Sequence, residues 1–423
     1  MLFENTEKKE LAITIAIGTK GANRQLILDN LKELESLAVT AGAEVIDSIY
    51  QELEHPNPAT AIGKGKLEEI KELIKNKNIQ LLIFDDELSP AQLRNLENEL
   101  QIKVIDRTGL ILDIFARHAK TNEAKTQVEL AQLQYLLPRL TRMWTHLSKQ
   151  YGGIRTKGPG EKQIETDRRL IRIRIQKLKE DLIEIENQRV QQKKGRSNLP
   201  RFALIGYTNA GKSTLMNAIT NSDVYVEDKL FATLDTTVRL FELPNKQKAL
   251  LSDTVGFIRK LPANLVASFR TTLSEASESD VLIHVVDISH KSFREHIKAV
   301  NQTLDSLKIL EKPTILAFNK IDIISDEENI QMLENEFPNT IFLSAKRFIN
   351  INNFLELLQK TYEGNCNIYN LHFKFDKFHM IPKLYKFAEI LERIETENGI
   401  TLKAKVKPQQ FDLILSSYKQ FIQ

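Results

Sequence analysis

Arg201–Thr214 reads RFALIGYTNAGKST: a short apolar run, a loop with a glycine near each end, then a lysine and two hydroxyl residues where a helical pattern begins. From Gly206 to Ser213 it satisfies G-x-x-x-x-G-K-[ST], and a strand pattern before it with a helical one after it is the context that gives this motif its phosphate-binding meaning. The glycines Gly206 and Gly211 let the backbone curl so that successive N–H groups along Gly206, Tyr207, Thr208, Asn209, Ala210 and Gly211 face phosphates. Lys212 reaches the β and γ oxygens, and the Ser213 hydroxyl takes a place on Mg2+.

Three further motifs follow at strand ends. DTVG (Asp253, Thr254, Val255, Gly256) comes after KALLS; the aspartate can hold magnesium through water and the glycine N–H can meet a γ-phosphate. NKID (Asn319, Lys320, Ile321, Asp322) follows PTILAF. A carboxylate in the base pocket accepts from both N1–H and the 2-amino group of guanine, whereas adenine offers neither donor, so Asp322 argues for GTP over ATP. SAK (Ser344, Ala345, Lys346), after TIFL, sits where a backbone N–H can read guanine O6. Between the first two motifs lies FATLDTTVR, Phe231 to Arg239, in which Thr233, Thr236 and Thr237 compete to complete the magnesium shell while a γ-phosphate is present.

Outward from this nucleotide domain the rhythm changes. In the first part, LAITIAIG, AEVIDSIY, LLIFDD and IKVID alternate with helical patterns, which predicts a parallel-sheet α/β domain over 1–106. Its GKGKLEEI, Gly63 to Ile70, is too short a motif to distinguish a phosphate site from an ordinary helix start. Over 107–197 strand signals vanish. Leu130, Leu133, Leu137, Leu140, Trp144 and Leu147 form one a/d seam, and Ile171, Ile175, Leu178, Leu182 and Ile185 form another, predicting a long antiparallel helical hairpin in which Pro138 kinks the first arm. The tip would be YGGIRTKGPGEKQIETDRR, Tyr151 to Arg169, a glycine-rich basic loop. The nucleotide domain spans 198–364. After it, IYNLHFKF, KLYKFAEILERI, TLKAKVKP and FDLILSSYKQF predict a small strand-helix-strand-helix domain over 365–423.

Charge singles out the arm. The chain has 423 residues and a net charge of +3, yet Leu140 to Pro200 alone carries 15 Lys and Arg against 7 Asp and Glu, so the remainder is acidic. A basic segment on an acidic body is how a nucleic-acid contact often looks, the alternative at this point being a solvated helix face with its charges incidentally skewed. The single cysteine, Cys366, excludes an internal disulfide and a thiolate metal cluster. No apolar run approaches the length of a membrane span and the start is acidic where a signal peptide is basic, so the expectation is a cytoplasmic protein with no membrane partner.

GYTNAGKST, FATLD, DTVGF, NKID and SAK, together with GPGEKQIETDRR and KTQVELAQLQYLLPRL outside the nucleotide domain, resemble the HflX-type GTPases of the Obg-HflX group over nearly the whole chain. The resemblance implies Thr233 as the switch threonine and magnesium ligand beside Ser213, and Phe231, Ala232, Thr233, Leu234 and Asp235 as part of the nucleotide site. It further implies binding of a monomer to ribosomal RNA of the large (50S) ribosomal subunit, in ribosome splitting, rescue or biogenesis. The fold expected is α/β: a P-loop GTPase domain, an N-terminal α/β domain, the helical hairpin and a small C-terminal α/β domain. Two positions depart from the family pattern: Arg155 stands where the loop usually has glycine, and Thr236 where the switch segment usually has proline.

The reaction expected is GTP hydrolysis to GDP and phosphate, with Lys212, Thr233 and Gly256 as the catalytic set and Mg2+ as cofactor. Phe257 occupies the position where many GTPases place a water-orienting glutamine, so hydrolysis should be slow until the large subunit orders the switches. The alternative is a GTP-gated ribosome-binding module in which hydrolysis is incidental.

Overall fold

Four apolar runs of the first part become β1 (Leu11–Thr19), β2 (Glu44–Leu53), β3 (Leu81–Phe84) and β4 (Lys103–Asp106), all parallel in the order β2-β1-β3-β4. Parallel neighbours need crossovers, and α1 (Arg24–Thr40), α2 (Lys64–Lys77) and α3 (Pro90–Leu100) supply them. Capping is local chemistry: the Asn23 side chain accepts from two α1 amides, and Ser89 with Gln92 forms a reciprocal capping box on α3. All four β3 residues are buried, as a strand covered on both faces requires. The description comes from a computed structural model and covers residues 9–140, 159–193, 199–220, 230, 231, 233, 235–260, 274–324, 327–337, 339–385, 388–396, 398–406 and 410–422.

By contacts the chain forms two units. The first comprises Met1–Arg189, Glu227–Asp235 and Arg259–Thr271; the second comprises Val190–Val226, Thr236–Ile258 and Thr272–Gln423. In the first unit α4 (Arg107–His118) starts directly from β4, with Asp106 accepting from the Gly109 amide, and buries Leu110, Ile111, Ile114 and Phe115. Around it lies a buried charge network. Asp85 accepts from Arg107 Nη1 at 2.6 Å and from Lys260 Nζ at 2.5 Å, Arg107 also pairs with Glu33, and Asp106 accepts from Tyr135 and Arg139.

The helical segment begins with α5 (Asn122–Leu136) and continues, past residues outside the description, as α6 (Pro159–Lys193). Pro138 is expected to kink an arm; instead α5 ends at Leu136, capped by Leu137, and Pro138 next in the chain brings no amide to extend the helical ladder. Arg139 turns back to Asp106 and the Leu88 carbonyl. The second seam is the less exposed stripe of α6: Leu178 is 1% exposed, whereas Leu170, Ile173 and Ile183 off the seam are exposed. A bidentate pair, Arg174 to Glu129 at 2.7 and 2.8 Å, ties α6 to α5. Trp144, Leu147 and the tip loop through Gly158, with Arg155 and Lys157, lie outside the described residues.

The second unit carries β5 (Arg201–Gly206), α7 (Lys212–Thr220), β6 (Thr237–Glu242), β7 (Lys248–Asp253), β8 (Val281–Asp287), β9 (Thr314–Asn319) and β10 (Thr340–Phe342). The order is β10-β9-β8-β5-β7-β6, parallel except that β6 runs antiparallel to β7. The strands to either side of β5, β7 and β8, follow it in sequence, so the carboxyl end of β5 is where this sheet's order reverses, the place where such folds bind ligands. Phe202, Leu204, Leu251, Ile283, Val285, Ile315 and Phe354 fill the core.

The last segment has its own core on an antiparallel sheet of β11 (Asn367–Phe373), β12 (Ala388–Thr396) and β13 (Gly399–Val406), ordered β11-β13-β12. KLYKFAEILERI was expected to be helical. Among its described residues only Lys383 and Leu384, the end of a short helix Ile381–Leu384, are helical; Ala388 onward is a strand paired along β13, where cross-strand pairing overrides helical propensity.

Candidate nucleotide site

The loop after β5 has a shape that only its glycines permit. Gly206 has φ 149° and a Cβ there would stand 2.2 Å from the Val285 carbonyl oxygen; Gly211 has φ 91° and a Cβ would stand 2.2 Å from Asn319 Nδ2. Lys212, at the start of α7, is 6% exposed and its Nζ donates to the carbonyls of Tyr207 at 2.9 Å and Gly206 at 3.3 Å. Burial pushes its pKa down to about 8, with Asp253 opposing the fall. Behind it His284 is pushed down to about 3 by burial and then by Lys212, so it stays neutral.

The DTVG motif lies alongside. Asp253 ends β7 fully buried and accepts from Ser213 Oγ at 2.6 Å, and Thr254 Oγ1 donates to the Leu204 carbonyl at 2.7 Å. A buried carboxylate paired with a hydroxyl is an all-oxygen donor set, which suits a hard cation held mainly by phosphates and water. Ser213 and Asp253 therefore fit Mg2+, although no cluster of three or more acidic, histidine or cysteine side chains occurs among the described residues. The backbone then pairs with the phosphate loop: Phe257 N donates to the Gly206 carbonyl at 3.0 Å and Thr208 N to the Phe257 carbonyl at 2.8 Å. Gly256 is pressed against this loop, where a Cβ would meet Thr208 Cγ2 at 2.7 Å and Lys212 Nζ at 3.0 Å.

Asn319 ties the base motifs to the phosphate loop. It is 3% exposed, donates from Nδ2 to the Ala210 carbonyl at 2.9 Å, and accepts at Oδ1 from the Ala345 amide at 3.0 Å. Lys320 takes the left-handed conformation, φ 69°, and its ammonium pairs with Asp287 at 2.6 Å. Asp322 is exposed and its Oδ1 accepts from Ser344 Oγ at 2.5 Å, which orients the carboxylate. Lys346 is exposed and Ala345 buried. The second unit thus gathers Gly206–Ser213, Asp253–Gly256, Asn319–Asp322 and Ser344–Lys346 at one sheet edge.

Phe231, Thr233 and Asp235 belong to the first unit; Ala232 and Leu234 lie outside the described residues. Phe231 is buried edge-on against Phe115, with ring centroids 4.7 Å apart. Asp235 accepts from the Lys120 amide at 2.9 Å and the Thr121 hydroxyl at 2.6 Å, at the N-terminus of α5. Three residues escaped the sequence reading: Asp287, His284 and His296, whose ring stacks on Tyr207 at 3.8 Å. Asp287 carried a signal, a carboxylate ending the strand between DTVG and NKID. The histidines carried none, because their roles come from neighbours distant in sequence.

Three family models match in succession: "GTP-binding GTPase N-terminal" over residues 28–116, "GTP-binding GTPase Middle Region" over 118–196 and "50S ribosome-binding GTPase" over 201–320. Among curated relatives, a GTPase HflX of Flavobacterium psychrophilum is 48% identical, covering 89% of this chain and 96% of its own. Those of Caldanaerobacter subterraneus and Escherichia coli K12 are each 43% identical, covering 95% and 90% of this chain and 92% and 90% of their own.

Proposed function

This chain belongs to the HflX family of GTPases and hydrolyses GTP to GDP and phosphate; we propose that it does so on the large ribosomal subunit, whose RNA the basic helical segment contacts. The observation that carries the nucleotide reading is the pair of hydrogen bonds made by the Asn319 side chain, which links the phosphate loop at Ala210 to the base-reading loop at Ala345. One nucleotide held by both loops is what that link organises.

Each group then has a task. Phosphate-loop amides and Lys212 cradle the phosphates, and Asp322, held by Ser344, accepts from guanine. Ser213 and Asp253 would hold Mg2+, which supplies charge neutralisation on the transferred phosphoryl group. The Gly256 amide is the γ-phosphate donor, and Thr233 the threonine that completes the switch. Phe257 is 5% exposed and offers only its backbone, so turnover in isolation is slow and the ribosomal subunit accelerates it.

The ribosomal part rests on the charge of Leu140 to Pro200, on the exposed Arg169, Arg172, Lys177 and Lys179 along α6, and on the 50S-binding family model. The task is splitting or rescue of ribosomes, or biogenesis of the subunit, carried out by a cytoplasmic monomer. Co-sedimentation with purified subunits in GDP, GTP and a non-hydrolysable analogue, at rising salt, tests it. Binding that favours the GTP forms and falls steeply with salt is expected, with R155A/K157A weakening binding but not GTP affinity. Salt-independent binding, or none to the large subunit, would overturn the reading.

A further inference from the structure

A polar group is left over in the phosphate loop. Thr208 is 6% exposed, and among the described residues its hydroxyl oxygen has no hydrogen-bond partner, although its amide is satisfied by Phe257. Burying a hydroxyl without a partner opposes folding, and a valine of the same shape would avoid that cost. Such a group persists where function needs it more than stability does.

Its surroundings identify the need. Gly256, the γ-phosphate donor, lies so close that a Cβ there would meet Thr208 Cα at 2.8 Å and Cγ2 at 2.7 Å, with Lys212 Nζ at 3.0 Å. Thr208 is therefore in the part of the loop that handles the γ-phosphate. The side chain beside it that could have oriented water is Phe257, which is apolar and buried. Oγ1 and Cγ2 share one Cβ, so a single χ1 step carries the hydroxyl to the side that faces Gly256.

We propose that the Thr208 hydroxyl is a catalytic group of this GTPase, taking on the contact to the attacking water that Phe257 cannot make. Water oxygen bonds to the γ-phosphorus while the bond from phosphorus to the bridging oxygen breaks and its electron pair leaves with GDP. The hydroxyl accepts a hydrogen bond from the water without gaining its proton, which passes to a phosphate oxygen. This rests on the GTPase assignment, and nucleotide binding is measured separately so that failure of one is not mistaken for failure of the other.

The test compares Thr208→Val, Thr208→Ser and the unaltered protein, full length, with and without large ribosomal subunits. Affinities for GDP and a non-hydrolysable GTP analogue should stay within about twofold for Thr208→Val, while single-turnover hydrolysis falls about 100-fold, the order of loss when a reacting group is misplaced. GDP with aluminium fluoride should no longer bind more tightly than GDP alone. Thr208→Ser should retain most of the rate, and the melting temperature of ligand-free Thr208→Val should be equal or higher. Hydrolysis at the unaltered rate overturns the proposal. So does a rate loss matched by equal losses of GDP and analogue affinity, or by a lower melting temperature, since either marks a structural role.

Discussion

Replacing Asn319 by alanine strikes a side chain that bonds both the phosphate loop and the base-reading loop. The change strands two buried backbone groups, the Ala210 carbonyl and the Ala345 amide. Each group left unsatisfied costs about 1–3 kcal/mol, so the pair costs about 2–6 kcal/mol. For a unit of this size the lower figure lowers the melting temperature by roughly 4–8 °C. Calorimetry of the ligand-free protein reads that loss. Binding of a fluorescent GDP should weaken at least about tenfold, the equivalent of 1.4 kcal/mol, because both loops lose their common anchor. A melting temperature within a degree of the unaltered protein, or unchanged GDP affinity, would refute the claim that this link organises the site.

Lys212 gives a pH dependence. Its pKa, lowered from 10.5 to about 8 by burial, leaves a growing neutral fraction above that value, so GDP affinity should hold below pH 7 and fall as pH rises through 8. In the ligand-free protein the unfolded chain keeps this proton between about 8 and 10.5 where the folded one does not, so this group's contribution to stability rises with pH across that window. Affinity measured by isothermal titration from pH 6.5 to 9.5 checks the first, and a flat profile would contradict it. In the first unit, Asp85→Ala removes a 1%-exposed carboxylate from Arg107 and Lys260, and should destabilise that unit by about 3–5 kcal/mol in a calorimetric scan. Lys260→Met, at a 41%-exposed side chain, should cost much less.

The chemistry of the site was legible because it is local. Gly206–Ser213, DTVG, NKID and SAK each lie within a few residues of a strand end, and their spacing marks them as candidate ligand contacts. The a/d periodicity of α6 likewise announced its less exposed stripe, since Ile171, Ile175, Leu178, Leu182 and Ile185 share a face by helical geometry. KLYKFAEILERI misled for the converse reason: its local pattern suits a helix, and only β13, paired beside it, makes Ala388–Thr396 a strand.

What the tertiary structure decided is which local pieces meet. The order β10-β9-β8-β5-β7-β6 puts the ends of β5, β7 and β9 at one edge, and from that follow Asn319 on Ala210, Ser213 on Asp253 and Gly256 against Thr208. It also put Phe231 and Asp235 against Phe115 and the start of α5, and Lys260 on Asp85. These contacts span tens to hundreds of residues. Hydrophobic burial drives strands together with little regard to their separation in sequence, so a repeating local pattern can name the groups at each strand end but not their partners.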